Sequence, residues 1–129
     1  FEAENPSFIN GVRSVIYEMV YNLVENAIKY NKNDGKVIVK ISKTSENFSS
    51  KLKQNVVLSV SDTGIGIPKN EQERIFERFY RIDKSRSKES GGTGLGLSIV
   101  KHGAKYHNAK VTLSSQEGKG STFEIHFEG

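Results

Sequence analysis

The chain has 129 residues, no cysteine and a formal net charge of +4. That length suits one domain with its own core, and the missing cysteine excludes disulfide frameworks and thiolate metal sites. No apolar run reaches membrane-spanning length and no signal peptide opens the chain. Lys and Arg are spread along the sequence rather than gathered in a block. A nucleic-acid footprint is therefore a weak reading and a polyphosphate ligand at least as good a one, and the charge balance alone does not decide.

In chain order, Phe1-Glu2-Ala3 reads as the tail of a strand, and position 1 is not Met. The expectation is one domain over 1–129, cut from a longer protein. Ile16, Met19, Val20, Leu23 and Ala27 recur at helical spacing and predict an amphipathic helix from about Gly11 to Tyr30. The polar run Asn31–Gly35 ends it. Val37–Ile41 and Val56–Val60 are strands by their β-branched content. Between them, Ser42–Asn55 is polar and reads as a loose hairpin connection or a variable insertion. Pro68 suits the first turn of a short helix carrying Ile75, Phe76 and Phe79. A glycine cluster then opens a helix reaching about His107, and strands follow at Lys110–Gln116 and Ser121–Phe127. The predicted class is an α/β sandwich: a mixed, mostly antiparallel sheet covered on one face by about three helices.

Three constellations carry chemistry. Asn22, Asn26 and Lys29 share a helical face by their spacing. A carboxamide oxygen is a hard ligand suited to Mg²⁺ when phosphates bring the negative charge; a solvated polar face explains the same spacing. Asp62 follows an apolar strand and precedes Gly64 and Gly66. Its carboxylate can accept from the six-amino group of adenine, where guanine has an oxygen, so it would favour ATP over GTP. Taken alone, the stretch is better read as a tight turn with a local Asp cap. Gly91, Gly92, Gly94 and Gly96 precede an apolar helix, an arrangement that lets N–H groups and a helix dipole converge on an anion. Leu97 stands where a Walker lysine belongs, and no strand leads directly into the cluster, so neither a Walker loop nor a dinucleotide fingerprint is present.

In this order the stretches NLVENAIKY, DTGIGI, FERFYR and GTGLGL resemble the ATP-binding catalytic domain of sensor histidine kinases. That domain belongs to the superfamily shared with gyrase, HSP90 and MutL. FERFYR points to the histidine kinase branch, and within it the chain looks most like phosphate-sensing, PhoR-type kinases. The resemblance runs from about Gly11 to Phe127 and implies the fold predicted above.

It also implies roles. Asn26 would hold the Mg²⁺ of the triphosphate, with Asn22 lining the phosphate site, Lys29 touching phosphate oxygens and Tyr30 packing near ribose and adenine. Asp62 would take the adenine amino group, with Gly64 and Gly66 letting backbone approach the ring and Ile67 beside them. Phe76, Phe79 and Tyr80 would anchor the hinge of a lid spanning about Ile82 to Gly92, and Arg81 would reach the γ-phosphate. Gly92, Thr93, Gly94 and Gly96, with Leu95 and Leu97, would wrap the β- and γ-phosphates. Hydrolysing relatives place a Glu one turn before the metal-binding Asn; here that position is Asn22, which cannot act as a base. Glu18, a further turn back, fits either a partner contact or a solvated helix residue.

The implied function is binding of Mg-ATP and transfer of its γ-phosphoryl group to a histidine on an upstream dimerisation domain. A response regulator would receive the phosphate next. This chain alone is not expected to autophosphorylate, because His102, His107 and His126 are not followed by an acidic residue as an acceptor would be. It would be the cytoplasmic domain of a membrane sensor, with no membrane contact of its own. The alternatives are an ATP-hydrolysing clamp of the gyrase or MutL kind and a non-catalytic nucleotide-binding module.

Overall fold

A computed structural model of the chain describes residues 1–3, 6–48, 51–81 and 95–128. In chain order they form β1 (Glu2–Ala3), α1 (Arg13–Lys29), β2 (Val37–Phe48), β3 (Lys51–Asp62), 3₁₀ turns at Lys69–Glu71 and Arg74–Phe76, α2 (Gly96–Tyr106), β4 (Lys110–Gln116) and β5 (Gly120–Phe127). One five-stranded sheet has the order β1-β2-β3-β5-β4. Only the β1–β2 pair is parallel, so the sheet is mixed and mostly antiparallel as predicted. Among the described residues two α-helices and the two 3₁₀ turns stand where about three helices were expected.

Period-two alternation explains which face is covered. Val56, Leu58 and Val60 of β3 and Phe123, Ile125 and Phe127 of β5 are buried and cluster with Met19, Leu23 and Ala27 of α1 and Val100 and Ala104 of α2. Lys40, Ser59, Glu124 and Thr112 lie side by side across four strands in the opposite phase. The sheet thus has an apolar face under the helices and a polar one. Met19, Leu23 and Ala27 recur at four-residue spacing and are at most 3% exposed, which fixes the rotation of α1 and turns Asn22 and Asn26 away from the core centre.

The ends of α1 are held by unlike means. Its cap, Val12, has no side-chain acceptor and its first turn no acidic residue. Instead the Val12 N–H donates to His107 Nε2 at 2.9 Å, while His107 Nδ1 meets the Gly103 carbonyl at 2.7 Å. A carbonyl can only accept and an N–H only donate, so these partners select the neutral Nδ1–H tautomer. His107 is a structural link between α1 and α2. At the other end Lys29 complements the helix dipole.

Two expectations need correction. Ser42–Asn55 is the expected hairpin connection but not a loose one: β2 and β3 stay paired from Val37↔Asp62 to Phe48↔Lys51. β5 pairs with β3 only from Val56 to Asp62, so the outer part of the hairpin extends beyond the third strand. The segment after Pro68 is not a continuous helix either. It makes two 3₁₀ turns, and Phe79 adopts a left-handed φ of 63° and is 65% exposed. The anchor is Ile75, which is buried, together with Phe76, whose ring meets Phe123 edge-on at 6.1 Å.

Candidate functional site

The predicted site residues fall on two poles joined by α1. At the first, the strand β3 ends in Asp62, and Asp62 Oδ1 accepts the Gly64 N–H at 2.9 Å. The local-cap reading of Asp62 is therefore correct, and it does not displace the functional one. One oxygen orients the carboxylate, and no hydrogen bond among the described residues engages the other. Gly64 lies so close to the end of α1 that a Cβ would stand 2.1 Å from the Tyr30 carbonyl oxygen, which also accepts the Ile65 N–H at 3.1 Å. Gly66, at a φ of +69°, packs against the Gln116 backbone, where a Cβ would meet the carbonyl oxygen at 2.1 Å. Both glycines are thus required by contacts of the protein with itself. Ile67 is held in the same way, its N–H donating to Ser115 Oγ at 2.8 Å, and the Gly118 N–H donates to the Ile65 carbonyl at 2.7 Å. The β4–β5 turn thereby braces this pole from behind.

At the second pole, Asn22 and Asn26 are half-buried on α1. Asn22 Nδ2 donates to the Glu18 carbonyl at 2.7 Å, leaving Oδ1 turned toward the start of α2. A Cβ built on Gly96 would stand 2.9 Å from that oxygen. Residues 22 and 96, separated widely in sequence, are neighbours. The cap of α2, Leu95, supplies no side-chain acceptor, and Ser98 Oγ donates back to the Leu95 carbonyl at 2.7 Å. Gly96 and Leu97 thus open the first turn of a helix, whose N–H groups and positive dipole end suit an anion. Lys29, one turn beyond Asn26, is paired with Glu25 at 3.3 Å. Such a partly exposed pair is worth roughly 0.3–0.5 kcal/mol and yields readily to a stronger anion.

Phe79, Tyr80 and Arg81 make no hydrogen bond to either pole among the described residues. Phe79 faces solvent beside the Arg78 guanidinium, and Tyr80 is covered by the Arg74 guanidinium at 4.3 Å from its ring centre. Arg81 is half-buried and makes no bond to another site residue among those described. Gly92, Thr93, Gly94 and the expected lid from Ile82 to Gly92 lie outside the described residues. An open apolar groove of about 450 Å³ runs between α1 and α2, lined by Val15, Leu95, Ile99 and Tyr106 among others. None of Asn22, Asn26 and Asp62 lines it. Sequence reasoning missed Asn31 and Thr63, which fasten the two poles together. Their signal was position alone, since one follows NLVENAIKY directly and the other lies inside DTGIGI.

Among the described residues no three carboxylates or imidazoles gather as a metal cage. Any metal at the second pole would take a carboxamide from the protein and the rest of its shell from its ligand and water, as Mg²⁺ on phosphates does. The described helices include none long and apolar enough to cross a membrane.

Residues 11–129 match the family described as histidine kinase-, DNA gyrase B-, and HSP90-like ATPase. The chain is 46% identical over 115 residues to the sensor-like histidine kinase SenX3 of Mycolicibacterium smegmatis, covering 89% of this chain and 28% of that protein. It is 42% identical over 119 residues to the phosphate regulon sensor protein PhoR of Pseudomonas aeruginosa, covering 92% of this chain and 25% of that one. It therefore spans about a quarter of the length of these relatives. Among solved structures, the mycobacterial sensor histidine kinase MprB superposes with a TM-score of 0.74 at 28% identity, over 92% of this chain and 73% of that one. The nucleotide-free catalytic domain of histidine kinase ThkA does so with a TM-score of 0.69 at 30% identity, over 98% and 76%. The fold, the order of its glycine and asparagine elements and these likenesses agree: the chain belongs to the histidine kinase-, DNA gyrase B-, and HSP90-like ATPase family, as an ATP-binding domain of the sensor histidine kinase kind.

Proposed function

We propose that this chain is the catalytic unit of a longer sensor kinase, binding Mg-ATP and donating the γ-phosphoryl group to a histidine on an upstream dimerisation domain. Asp62 reads the adenine amino group with the oxygen that Gly64 leaves open. Asn22, the first turn of α2 and Lys29 hold the phosphates, and Arg81 reaches the γ-phosphate. Asn26 would give a carboxamide oxygen to Mg²⁺, and the ion would neutralise charge on the phosphates. The acceptor imidazole nitrogen attacks the γ-phosphorus, the bond to the β-bridging oxygen breaks, and ADP leaves with that electron pair while the imidazole gives up its N–H proton. A response regulator aspartate then takes the phosphoryl group. The parent is read as a membrane sensor with this domain on its cytoplasmic side.

One observation carries transfer over hydrolysis. Asn22 occupies the place of a water-activating carboxylate, its amide donates to the Glu18 carbonyl, and a carboxamide cannot take a proton from water at neutral pH. Phosphoryl transfer rests on positioning and charge neutralisation and tolerates that loss when another side chain is the nucleophile. γ-Labelled ATP mixed with this chain and the acceptor domain of its parent is expected to leave acid-labile label on a histidine of the acceptor. Tight ATP binding with no such label, or steady hydrolysis by this chain alone well above background, would overturn the proposal, the latter in favour of a gyrase-like clamp.

A further inference from the structure

The turn after β3 is tied to α1 by two side chains without a part in the chemistry above. Asn31 uses both ends of its carboxamide: Nδ2 donates to the Lys36 carbonyl at 2.9 Å, and Oδ1 accepts the Lys32 N–H at 2.9 Å and the Thr63 hydroxyl at 3.2 Å. Thr63 Oγ1 in turn accepts the Lys36 N–H at 2.8 Å, and the Thr63 N–H donates to the Lys36 carbonyl at 3.2 Å. The hydroxyl thus gives its one proton and receives another, which valine of the same shape could not do. Both residues are half-buried.

These bonds close a continuous path between the poles. Asp62 Oδ1 is set by the Gly64 N–H, and the next residue, Ile65, donates to the Tyr30 carbonyl. The Tyr30 N–H donates to the Asn26 carbonyl at 3.0 Å. The start of β2 and the β4–β5 turn brace the far side of this turn, and main-chain bonds at Tyr30 hold it to the end of α1. Asn31 and Thr63 add side-chain bonds on the neighbouring residues, so the edge that meets the end of α1 is tied at two places rather than one.

We infer that Asn31 and Thr63 are positioning residues for base selection. They lock the turn carrying the base-reading carboxylate onto the helix carrying Asn22 and Asn26, so base and phosphates are engaged together. The inference rests on the reading of Asp62 as the adenine acceptor. A nucleotide anchored by its phosphates then finds Asp62 at one fixed place, where adenine donates and guanine cannot. Loosening the turn lets the carboxylate retreat, so affinity for ATP falls while affinity for GTP, which gains nothing from Asp62, barely changes.

The test measures dissociation constants of the 129-residue chain for ATP and GTP by calorimetry in wild type, Thr63→Val, Thr63→Ser, Asn31→Ala and Asp62→Asn. Thr63→Val and Asn31→Ala are each expected to weaken ATP about tenfold, as loss of hydrogen bonds of this kind does, and to shrink the ATP-over-GTP preference by a similar factor. Thr63→Ser, which keeps the hydroxyl, restores both. The ratio of the two constants is insensitive to the folded fraction, because unfolding weakens both ligands equally; a purely structural role would lower stability and leave the ratio intact. Asn31→Ala gives the same reading should Thr63→Val fail to fold. An unchanged ratio in the folded variants, with Asp62→Asn collapsing it, overturns the inference and spares the reading of Asp62. An unchanged ratio in Asp62→Asn overturns both.

Discussion

The two poles are built on opposite principles. The turn from Asp62 to Ile67 is bonded to the end of α1, to the start of β2 and to the β4–β5 turn, so its shape is settled before any ligand arrives. The start of α2 has an uncapped first turn, a glycine against Asn22 and one local Ser98 bond. Among the described residues no side chain caps it. A base-reading carboxylate must be fixed because it discriminates by geometry, whereas a phosphate anchor works by charge and by open N–H groups. On the function proposed above, rigidity has been placed where selection is made.

This contrast predicts unequal responses to mutation. The largest effect is expected at the bonded pole: Gly66→Ala must place a Cβ against the Gln116 carbonyl at a left-handed φ, and should cost about 3 kcal/mol, visible as a large drop in melting temperature. Next comes Asn26→Ala at the open pole. Its side chain makes no bond among the described residues, so the melting temperature should hold while Mg²⁺-dependent ATP affinity falls roughly 10–100-fold. Equal losses of affinity with and without Mg²⁺ would count against a metal role for Asn26. The smallest effect is expected from Gly96→Ala. Its Cβ would press on the movable end of the Asn22 side chain, so stability should change by no more than about 0.5 kcal/mol, with a several-fold loss in ATP affinity. A Gly96→Ala variant as unstable as Gly66→Ala would erase the distinction between the poles.

Much of the fold was legible because its signals are periodic and local. Met19, Leu23 and Ala27 announce the buried face of α1, and Phe123, Ile125 and Phe127 that of β5. The outer hairpin arm was legible as a hairpin connection but not as two long paired strands, since its pairing rests on backbone bonds that no apolar alternation announces. Phe79 misled for the converse reason: an aromatic residue at helical spacing from Ile75 reads as core, yet the backbone turns left-handed there and exposes it.

For the site, the residue types at Asn22, Asn26, Lys29 and Asp62 were readable, because carboxamides on one helix face and a carboxylate beside glycines each limit the chemistry open to them. Their assembly was not. That Asn22 faces Gly96, that Gly64 and Gly66 are demanded by the Tyr30 and Gln116 backbones, and that Asn31 and Thr63 lace the turn to the helix are long-range contacts, which no local pattern encodes. By itself the sequence determined which groups are available and the elements that carry them, since propensity and periodicity act over neighbouring residues. Only the tertiary structure decided which groups are held rigid and which are left open, because that follows from what each meets across the fold.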